Sequence, residues 1–274
     1  MRKIIVCLLA VIVVLTGCSV KTGDGFKYKY GVFLGAEPED MDAVSQYEII
    51  VIDAQYFSRK EIAELKSEGH TVFSYINVGS LEEFRPYYDD YSEYTLSVYE
   101  NWEDEMWVDV SAPEWQDLII DDLAADLKDK GVDGLFVDNV DVYYHYQTEE
   151  VYEALSYMLK SFKDMGFYVS INGGDTFVTE CIDRGEPVKS MFDAVNQETV
   201  FSKIIWEEED TFSVQDDAEN EYFLDYLERV HKEGIDVYLL EYTTDKELTK
   251  EIEEYCAENG YFFYISKTLN LEAA

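Results

Sequence analysis

Short apolar runs alternate with longer amphipathic stretches along most of the chain. The apolar runs are five to seven residues long and rich in Val, Ile, Phe and Tyr. They lack a polar face, as is typical of parallel strands covered on both sides. Strands are predicted at Tyr30–Leu34, Ile49–Asp53, Val72–Asn77, Val132–Asp138, Phe167–Asn172, Phe192–Gln197, Val237–Glu241 and Tyr261–Ile265. Helices are predicted at Ser58–Gly69, Ser111–Gly131, Glu149–Gly166, Asp217–Gly234 and Asp245–Gly260.

Capping signals support the helix boundaries. The segments Ser58–Glu61, Ser111–Glu114 and Thr244–Glu247 each fit a capping box, in which a hydroxyl and a glutamate satisfy the first N–H groups of a helix. A glycine ends each amphipathic stretch just before the next strand, which predicts left-handed C-terminal caps. These glycines are Gly69, Gly131, Gly166, Gly234 and Gly260.

Eight strands alternating with helices predict a parallel sheet, and eight is the number that closes a barrel. The prediction is therefore an α/β fold, a (β/α)8 TIM-type barrel in a single domain at residues 30–270. An open doubly wound sheet is the alternative, but no glycine-rich phosphate loop follows the first strand. The segment Glu82–Asp109 is a long excursion with eight aromatic residues from Phe84 to Trp107, and such excursions are usually functional.

The N-terminal segment has the pattern of an export signal. Arg2 and Lys3 precede the apolar run Ile4–Leu15, which is too short for a membrane span. The segment Leu15–Cys18 resembles a bacterial lipobox, and that resemblance implies cleavage before Cys18 and lipidation of its thiol. We expect a signal peptide at 1–17, a tether at 18–29 and a membrane-anchored lipoprotein facing the extracytoplasmic side. An ordinary signal peptide with a coincidental cysteine is the alternative.

Cysteine and histidine usage argues against a structural metal site. After loss of Cys7 and Cys18 to the leader and anchor, the folded part keeps only Cys181 and Cys256. The chain has no CxxC motif and three histidines, so a zinc site is not expected. A disulfide between the two cysteines is one alternative, and two separate buried thiols are the favoured one.

The charge is strongly acidic. The chain has 21 basic and 59 acidic residues, a net charge of −38. Loss of Arg2 and Lys3 with the leader would leave 19 basic residues and a net charge of −40. Such a surface repels nucleic acid and attracts cations, including a partly deacetylated amino-sugar polymer. Solubility alone also explains an acidic surface. We expect a monomer.

Polar residues recur where the predicted strands end. In a barrel of this type those ends form the active site. The fourth strand ends at Asp138 and the sixth is followed by Glu198. Two carboxylates flanking one bond are the usual apparatus of glycoside hydrolysis, with a separation of about 5–5.5 Å for retention and 6.5–9.5 Å for inversion. We therefore assign Asp138 as nucleophile and Glu198 as general acid/base.

The same rule nominates the other strand ends as sugar contacts, because amide, carboxylate and tyrosine side chains bind hydroxyl-rich ligands. The candidates for substrate binding are Asp53, Tyr75, Asn77, Asn139, Asp141, Tyr143, Asn172, Asp175, Glu241 and Tyr242. Trp102, Trp107 and Trp115 are either packing residues or stacking platforms. A metal-dependent hydrolase using Asp53, Asp138 and Glu241 is an alternative, but no histidine lies at a strand end. No cofactor is expected.

Several segments resemble glycoside hydrolase family 114, the endo-α-1,4-polygalactosaminidase-like barrels. The matching segments are Ile52–Phe57, Ser74–Gly79, Trp107–Val110, Gly134–Tyr143 and Ile171–Asp175. The resemblance implies an endo-acting hydrolase of α-1,4-linked galactosamine polymers, with its catalytic pair at Asp138 and Glu198. The first strand, Tyr30–Leu34, lacks the Trp-Gln pattern associated with characterised members, so the substrate is less well predicted than the reaction. A non-catalytic carbohydrate-binding lipoprotein on a degenerate barrel is the competing interpretation.

Overall fold

A computed structural model describes residues 25–100, 102, 104–208 and 210–273. Eight parallel strands form one sheet in chain order. They span Tyr28–Phe33, Tyr47–Ile52, Thr71–Asn77, Gly134–Asp138, Tyr168–Asn172, Ala194–Glu198, Asp236–Tyr242 and Phe262–Ser266. All eight predicted strands are therefore confirmed, each within two residues at both ends. They are called the first to eighth barrel strands below.

The sheet curves into a nearly closed barrel, because Cα atoms of the first and eighth strands lie within 8 Å of each other. Alternate residues of each strand point to opposite faces. Val32, Val51 and Phe73 pack inside the barrel with neighbouring apolar residues. Ile50, Ile52 and residues at matching positions pack outward against the helices. This double burial explains why the strands read as continuous apolar runs, and the fold is the predicted (β/α)8 type.

The connecting helices follow the predicted order. The longer ones span Arg59–Ser67, Pro113–Lys130, Glu149–Asp164, Asp175–Asp183, Asp217–Lys232 and Lys246–Asn259, and the second contains a π-helical segment at Leu118–Ala124. Single turns of helix span Pro38–Asp40, Met41–Val44, Ala54–Tyr56, Tyr88–Tyr91, Ser92–Tyr94, Val142–His145 and Val188–Ser190. The helix Asp175–Asp183 was not predicted, because the glycines before it indicated a loop.

The cap predictions are only partly confirmed. All five cap glycines have positive φ angles, and the Ser58–Glu61 capping box is present. The other two boxes were wrong. The helix expected from Ser111 begins at Pro113, and the Ser111 hydroxyl donates to Asp109 instead. At the last helix the capping side chain is Asp245, one residue after Thr244, and it accepts from the N–H of Glu247 and of Leu248.

Two excursions rise at the carboxyl end of the barrel. The first contains a three-stranded antiparallel sheet of Ser80–Glu82, Thr95–Val98 and Glu105–Val108. The second is a hairpin of Ser202–Ile204 and Phe212–Val214 that follows the sixth barrel strand. Phe212 stacks on Tyr242 at a ring separation of 5.6 Å, which holds the hairpin against the seventh strand. Both excursions stand beside the strand ends where chemistry was predicted.

Cys181 and Cys256 are separate, buried thiols, as favoured from the sequence. The predicted signal peptide, Cys18 and most of the predicted tether lie outside the described residues. Among the helices that are described, none has the length and apolar character needed to cross a bilayer.

Candidate active site

A cleft of about 730 Å³ opens at the carboxyl ends of the barrel strands. Its walls come from strand ends, from both excursions and from residues 269–272 after the eighth strand. Eight of the predicted site residues line it together: Asp53, Tyr75, Asp138, Asn139, Asp141, Asn172, Glu198 and Tyr242. The strand-end rule therefore located one shared site. The remaining four candidates, Asn77, Tyr143, Asp175 and Glu241, lie outside the lining.

Asp138 and Glu198 are joined by one amide. The Asn172 side-chain nitrogen donates to Asp138 Oδ1 and to Glu198 Oε1, each at 2.8 Å. Because both oxygens contact the same nitrogen, they can be no farther apart than twice that distance, 5.6 Å. This places the fourth- and sixth-strand carboxylates on the same side of the barrel, facing one cleft. This upper bound is close to the separation of about 5–5.5 Å between the two carboxyl groups of retaining glycosidases.

A hydrogen-bonded chain inside the barrel fixes the orientation of that amide. The Asn172 oxygen accepts from the Asn196 side-chain nitrogen at 2.7 Å. The Asn196 oxygen in turn accepts from the Tyr30 hydroxyl at 3.0 Å. Since Asn196 and Tyr30 are fully buried, the amide of Asn172 cannot rotate without leaving buried polar groups unpaired. Its NH2 group therefore stays directed at the two carboxylates.

Both carboxyl groups are poised for proton exchange. Burial raises the pKa of Asp138 to about 6, with a smaller upward contribution from the charge of Glu198. The hydrogen bond from Asn172 opposes both effects. Burial also raises the pKa of Glu198, whose Oε2 accepts from the Tyr242 hydroxyl at 2.7 Å. A pair of interacting carboxyls with raised pKa values is what an acid/base division of labour requires.

Asp141 forms a third carboxyl position beside the pair. Its two oxygens accept from the Gly174 N–H at 3.0 and 3.1 Å, and burial raises its pKa to about 7. Gly173 approaches this carboxylate so closely that a Cβ atom there would lie 2.5 Å from Asp141 Oδ2. Asn139 has a φ of +62° and donates from its amide to the Ser80 hydroxyl at 2.9 Å. Asp141 is thus held by the backbone N–H of Gly174, and Asn139 by its backbone conformation and its hydrogen bond to Ser80.

Asp53 belongs to a buried ion cluster on another side of the cleft. Arg85 donates to Asp53 at 2.8 Å and to Glu82 at 2.5 and 3.2 Å. All three side chains are almost fully buried, and the Tyr75 hydroxyl donates to Glu82 at 3.1 Å. Asp53 and Tyr75 line the cleft, but the interactions of Asp53 satisfy a structural arginine. The sequence offered no signal for this cluster, because Arg85 lies in the excursion.

The prediction that Glu241 binds substrate is not supported by its position. The side chain is fully buried and lies outside the cleft lining. It accepts from the backbone N–H groups of Val200, Phe201 and Ser202 at 2.9–3.3 Å and from the Ser202 hydroxyl at 2.5 Å. Burial nevertheless raises its pKa to about 7. Glu241 therefore fixes the loop that follows Glu198.

The other three candidates outside the lining also have structural partners. Asn77 is buried, accepts from the Gly79 and Ser80 N–H groups and donates to the Ser80 hydroxyl. Tyr143 packs edge-on against Tyr152 and Phe177. Asp175 starts an unpredicted helix and accepts from the Tyr222 hydroxyl. Their place in the sequence, close to strand ends, did not distinguish them from residues that face the cleft.

Two exposed tryptophans contribute to the cleft. Trp102, from the first excursion, contacts Trp206, from the second, with ring centroids 5.9 Å apart. Both line the cleft and are about two-fifths exposed, at 40% and 45%. Trp107 and Trp115 are instead buried packing residues. Trp206 was missed in the sequence because it lies in an acidic loop with no periodic pattern.

The sequence profile of Glycoside-hydrolase family GH114 matches residues 16–273, almost the whole chain. The chain belongs to this family. Family membership makes it a glycoside hydrolase. No curated protein sequence matches the chain.

Solved structures similar to this GH114 chain share its fold. The glycoside hydrolase domain of PelA from Pseudomonas aeruginosa has a TM-score of 0.73 at 20% identity, covering 89% of this chain and 96% of that one. Aspergillus fumigatus Ega3, in complex with galactosamine, has a TM-score of 0.71 at 17% identity, covering 92% and 96%. An α-galactosidase from Thermus thermophilus has 0.52 at 11%, covering 86% and 57%. All three comparisons concern the barrel.

Sequence reasoning also missed cleft residues of this GH114 barrel, and residues that support Asn172, which do not end a strand. Glu105 and Tyr99 line the cleft from the first excursion, and Tyr30 and Asn196 support the pair from inside the barrel. A polar residue in the middle of an apolar strand, such as Asn196, was the available signal. An excursion residue such as Glu105 carries no comparable signal, because its position depends on how the excursion folds back.

Proposed function

We propose that this chain hydrolyses an α-linked amino-sugar polysaccharide from within the polymer, through Asp138 as nucleophile and Glu198 as general acid/base. The observation that carries the proposal is the pair of carboxylates held by Asn172 in one acidic, aromatic-lined cleft. The two oxygens that accept from Asn172, Asp138 Oδ1 and Glu198 Oε1, are at most 5.6 Å apart. This favours a double displacement, in which configuration at the anomeric carbon is retained.

In the first step, a carboxylate oxygen of Asp138 forms a bond to the anomeric carbon. The bond to the leaving oxygen breaks, and that oxygen takes the proton of Glu198. Because Oε1 of Glu198 accepts from Asn172, the proton belongs on Oε2, beside the Tyr242 hydroxyl. In the second step, water attacks the anomeric carbon, Glu198 accepts the proton of that water, and Asp138 leaves as a carboxylate.

The charge of the cleft supports a cationic substrate. Among the described residues, its lining has eight carboxyl side chains and one basic side chain, Arg85. Arg85 forms ion pairs with Asp53 and Glu82. Among the described residues of the lining, no other basic side chain is present to offset the remaining carboxylates. A polymer carrying protonated amines would supply that positive charge. The galactosamine bound to Ega3 is consistent with α-1,4-linked galactosamine as the unit.

Exposed aromatic rings support binding of a chain rather than a single sugar. Trp102 and Trp206 stand together at one position of the cleft, while Tyr56 and Phe84 lie beside Arg85 at another. All four line the cleft and are at least 40% exposed. Aromatic faces of this type stack on sugar rings, and several of them along one cleft suit an endo-acting enzyme.

The test is release of reducing ends from purified α-1,4-linked galactosamine polymers, acetylated and deacetylated. Wild type, Asp138→Asn, Glu198→Gln and the control Glu272→Gln are compared, since Glu272 lines the cleft without contacting the pair. We expect the first two substitutions to abolish hydrolysis and the control to preserve it. Binding of the polymers without hydrolysis by wild type would instead favour a non-catalytic carbohydrate-binding protein.

We further propose that the barrel is tethered to the extracytoplasmic side of the cell membrane through lipidated Cys18. The basic start, the short apolar run and the lipobox-like Leu15–Cys18 support this. Labelling cells with a radioactive fatty acid tests it directly. Wild type should carry the label and Cys18→Ser should not, whereas equal labelling of both would contradict the anchor.

A further inference from the structure

Glu105 is a cleft carboxylate that the proposed reaction leaves without a role. It begins the strand Glu105–Val108 of the first excursion and lies opposite Glu82 in the antiparallel pairing. Its Oε2 accepts from the Ser80 hydroxyl at 2.8 Å. No hydrogen bond within the described part of the chain reaches Oε1, although the side chain lines the cleft. One oxygen is thus held and the other is available.

The hydroxyl that holds Glu105 is itself fixed in direction. Ser80 Oγ accepts from the amide nitrogens of Asn77 at 2.7 Å and of Asn139 at 2.9 Å. With both acceptor positions filled, its single proton is committed to Glu105. Asn77 is in turn fixed by accepting from the backbone of Gly79 and Ser80. This network connects the Glu105 carboxyl to the ends of the third and fourth barrel strands. The orientation of the carboxyl is therefore fixed before a ligand binds.

The position of Glu105 relative to the reacting pair suggests what that ligand is. Asp138 pairs with Asn77 across the third and fourth strands, and the strand Ser80–Glu82 follows Asn77. Glu198 lies two strands away on the other side of Asp138. Glu105 lines the same cleft as Asp138 and Glu198, and the charge of Asp138 contributes to raising the pKa of Glu105, so a sugar with its anomeric carbon at Asp138 shares the cleft with Glu105. The substituent next to the anomeric carbon is the amine in an amino sugar.

Among the residues that the structure describes, no basic side chain forms an ion pair with Glu105. Burial, with smaller contributions from the charges of Glu82, Asp138 and Asp104, raises the pKa of Glu105 to about 8, against a hydrogen bond from Ser80. The charge of Glu105 contributes to raising the pKa of Tyr75 and of Tyr99, two other residues of the cleft lining. A carboxyl in this setting is neutral near pH 7, and a bound ammonium group would supply the missing positive charge and ionise it.

We propose that Glu105 binds the protonated amine of the sugar whose anomeric carbon is attacked, and so makes deacetylated units preferred over N-acetylated ones. This rests on the proposed function. An ammonium group offers three donors and a full charge to Oε1. An acetamide offers one N–H and no charge, so the Glu105 carboxyl would remain protonated beside it. Removing the Glu105 carboxylate should therefore remove the preference for the deacetylated sugar.

Calorimetric binding of α-1,4-galactosamine tetrasaccharides, deacetylated and N-acetylated, tests this in the full chain carrying Glu198→Gln. We expect Glu105→Gln to weaken binding of the deacetylated form by roughly 10- to 100-fold and to leave the acetylated form within about threefold. Asp104→Asn is the matched control, since Asp104 is an exposed carboxylate lining the same cleft. It should leave the preference for the deacetylated form intact.

Proton release is the second measurement, made at pH 6 in buffers of different ionisation enthalpy. Glu105 is neutral at that pH, so its ionisation on amine binding should release about one proton that disappears in Glu105→Gln. Equal release by both chains, or no preference for the deacetylated sugar in the parent, overturns the role of Glu105. Amine preference without hydrolysis by wild type would overturn the proposed function alone.

Discussion

Two groups of carboxylates face the same cleft and are stabilised in opposite ways. On the side of the second and third strands, Asp53 and Glu82 surround Arg85, and all three are almost fully buried. On the side of the fourth and sixth strands, Asp138 and Glu198 share only the neutral amide of Asn172. The first group is a satisfied ion cluster, whereas the second consists of two like-charged groups with no cation between them.

The difference shows what separates a reacting carboxylate from a structural one in this barrel. A buried guanidinium offsets part of the cost of burying two carboxylates: burial raises the pKa of Asp53 and of Glu82, and the charge and hydrogen bonds of Arg85 oppose that rise. An amide orients a carboxylate without supplying an opposite charge, so the effect of burial on its pKa is opposed only by hydrogen bonds. Asp138, with a pKa raised to about 6, belongs to the second kind. Position at a strand end is common to both kinds and distinguishes neither.

The largest expected effect is a loss of stability for the Asp53–Arg85–Glu82 cluster and a loss of activity for the Asp138–Glu198 pair. Asp53→Asn leaves Arg85 partly unpaired in a buried site and should lower the free energy of unfolding by about 3–5 kcal/mol, while the folded variant keeps its hydrolytic rate. Asp138→Asn should abolish hydrolysis without loss of stability, because it removes an unpaired buried charge. Denaturant unfolding and reducing-end assays of both variants check this. A stable, inactive Asp53→Asn would place Asp53 in the reaction instead.

Removal of the bridging amide should weaken the reacting pair without unfolding the barrel. We expect Asn172→Ala to lower kcat by roughly 100-fold, because both carboxylates lose the donor that orients them. The hydrogen bond from Asn172 lowers the pKa of Asp138, so its loss should move the acidic limb of the kcat/KM profile to higher pH. A pH–rate profile of the variant measures this, and an unmoved acidic limb would contradict the bridge.

Stability should fall as pH rises, because the uncompensated carboxyls hold protons more tightly in the folded chain. Burial raises the pKa of Glu105 to about 8, of Asp141 to about 7 and of Asp138 to about 6. Their contribution is fully present below the ordinary carboxyl pKa and is lost as pH rises through these values. We expect the free energy of unfolding to fall by about 2 kcal/mol between pH 5 and 8, a value reduced to allow for partial solvation of these groups. This loss should lower Tm by roughly 4–8 °C. A Tm that rises over this interval would argue against raised pKa values.

The smallest expected effect comes from Tyr30 and Asn196, the hydrogen-bonded residues inside the barrel that orient Asn172. Tyr30→Phe removes the donor to Asn196 and loosens Asn172 indirectly, so kcat should fall by less than about tenfold. Tyr168→Phe is the matched control, because Tyr168 donates to Asp236 at the amino end of the seventh strand. Steady-state kinetics of both variants at the same pH compare them. Equal rates in the two variants would mean that the interior chain does not act on the pair.

The barrel and the shared cleft position of the proposed pair were predictable because their signals are local in sequence. Strands buried on both faces give apolar runs, and Asp138 and Glu198 stand where such runs end. The Ser111 and Thr244 caps were each misplaced by one residue: Ala112 is the N-cap of the first of these helices, with no side-chain cap, and Asp245 caps the second. The helix Asp175–Asp183 was missed because Gly173 and Gly174 resembled a ligand loop.

The roles of individual carboxylates were not predictable, because their partners are distant in sequence. Glu241 reads like a binding residue until the N–H groups of 200–202 are seen around it. Asp53 reads the same way until Arg85 folds back from the excursion. Glu105 gave no signal, since its approach to the pair depends on the pairing of two short strands. Distinguishing these residues required the structure.

The central claim is that Asp138 and Glu198, held within 5.6 Å by one amide, act as the pair of a retaining hydrolase. Proton NMR of the first product formed from an α-linked galactosamine oligomer tests it most directly. The α anomer should appear first and then mutarotate toward equilibrium. Initial appearance of the β anomer would mean inversion and would contradict the account.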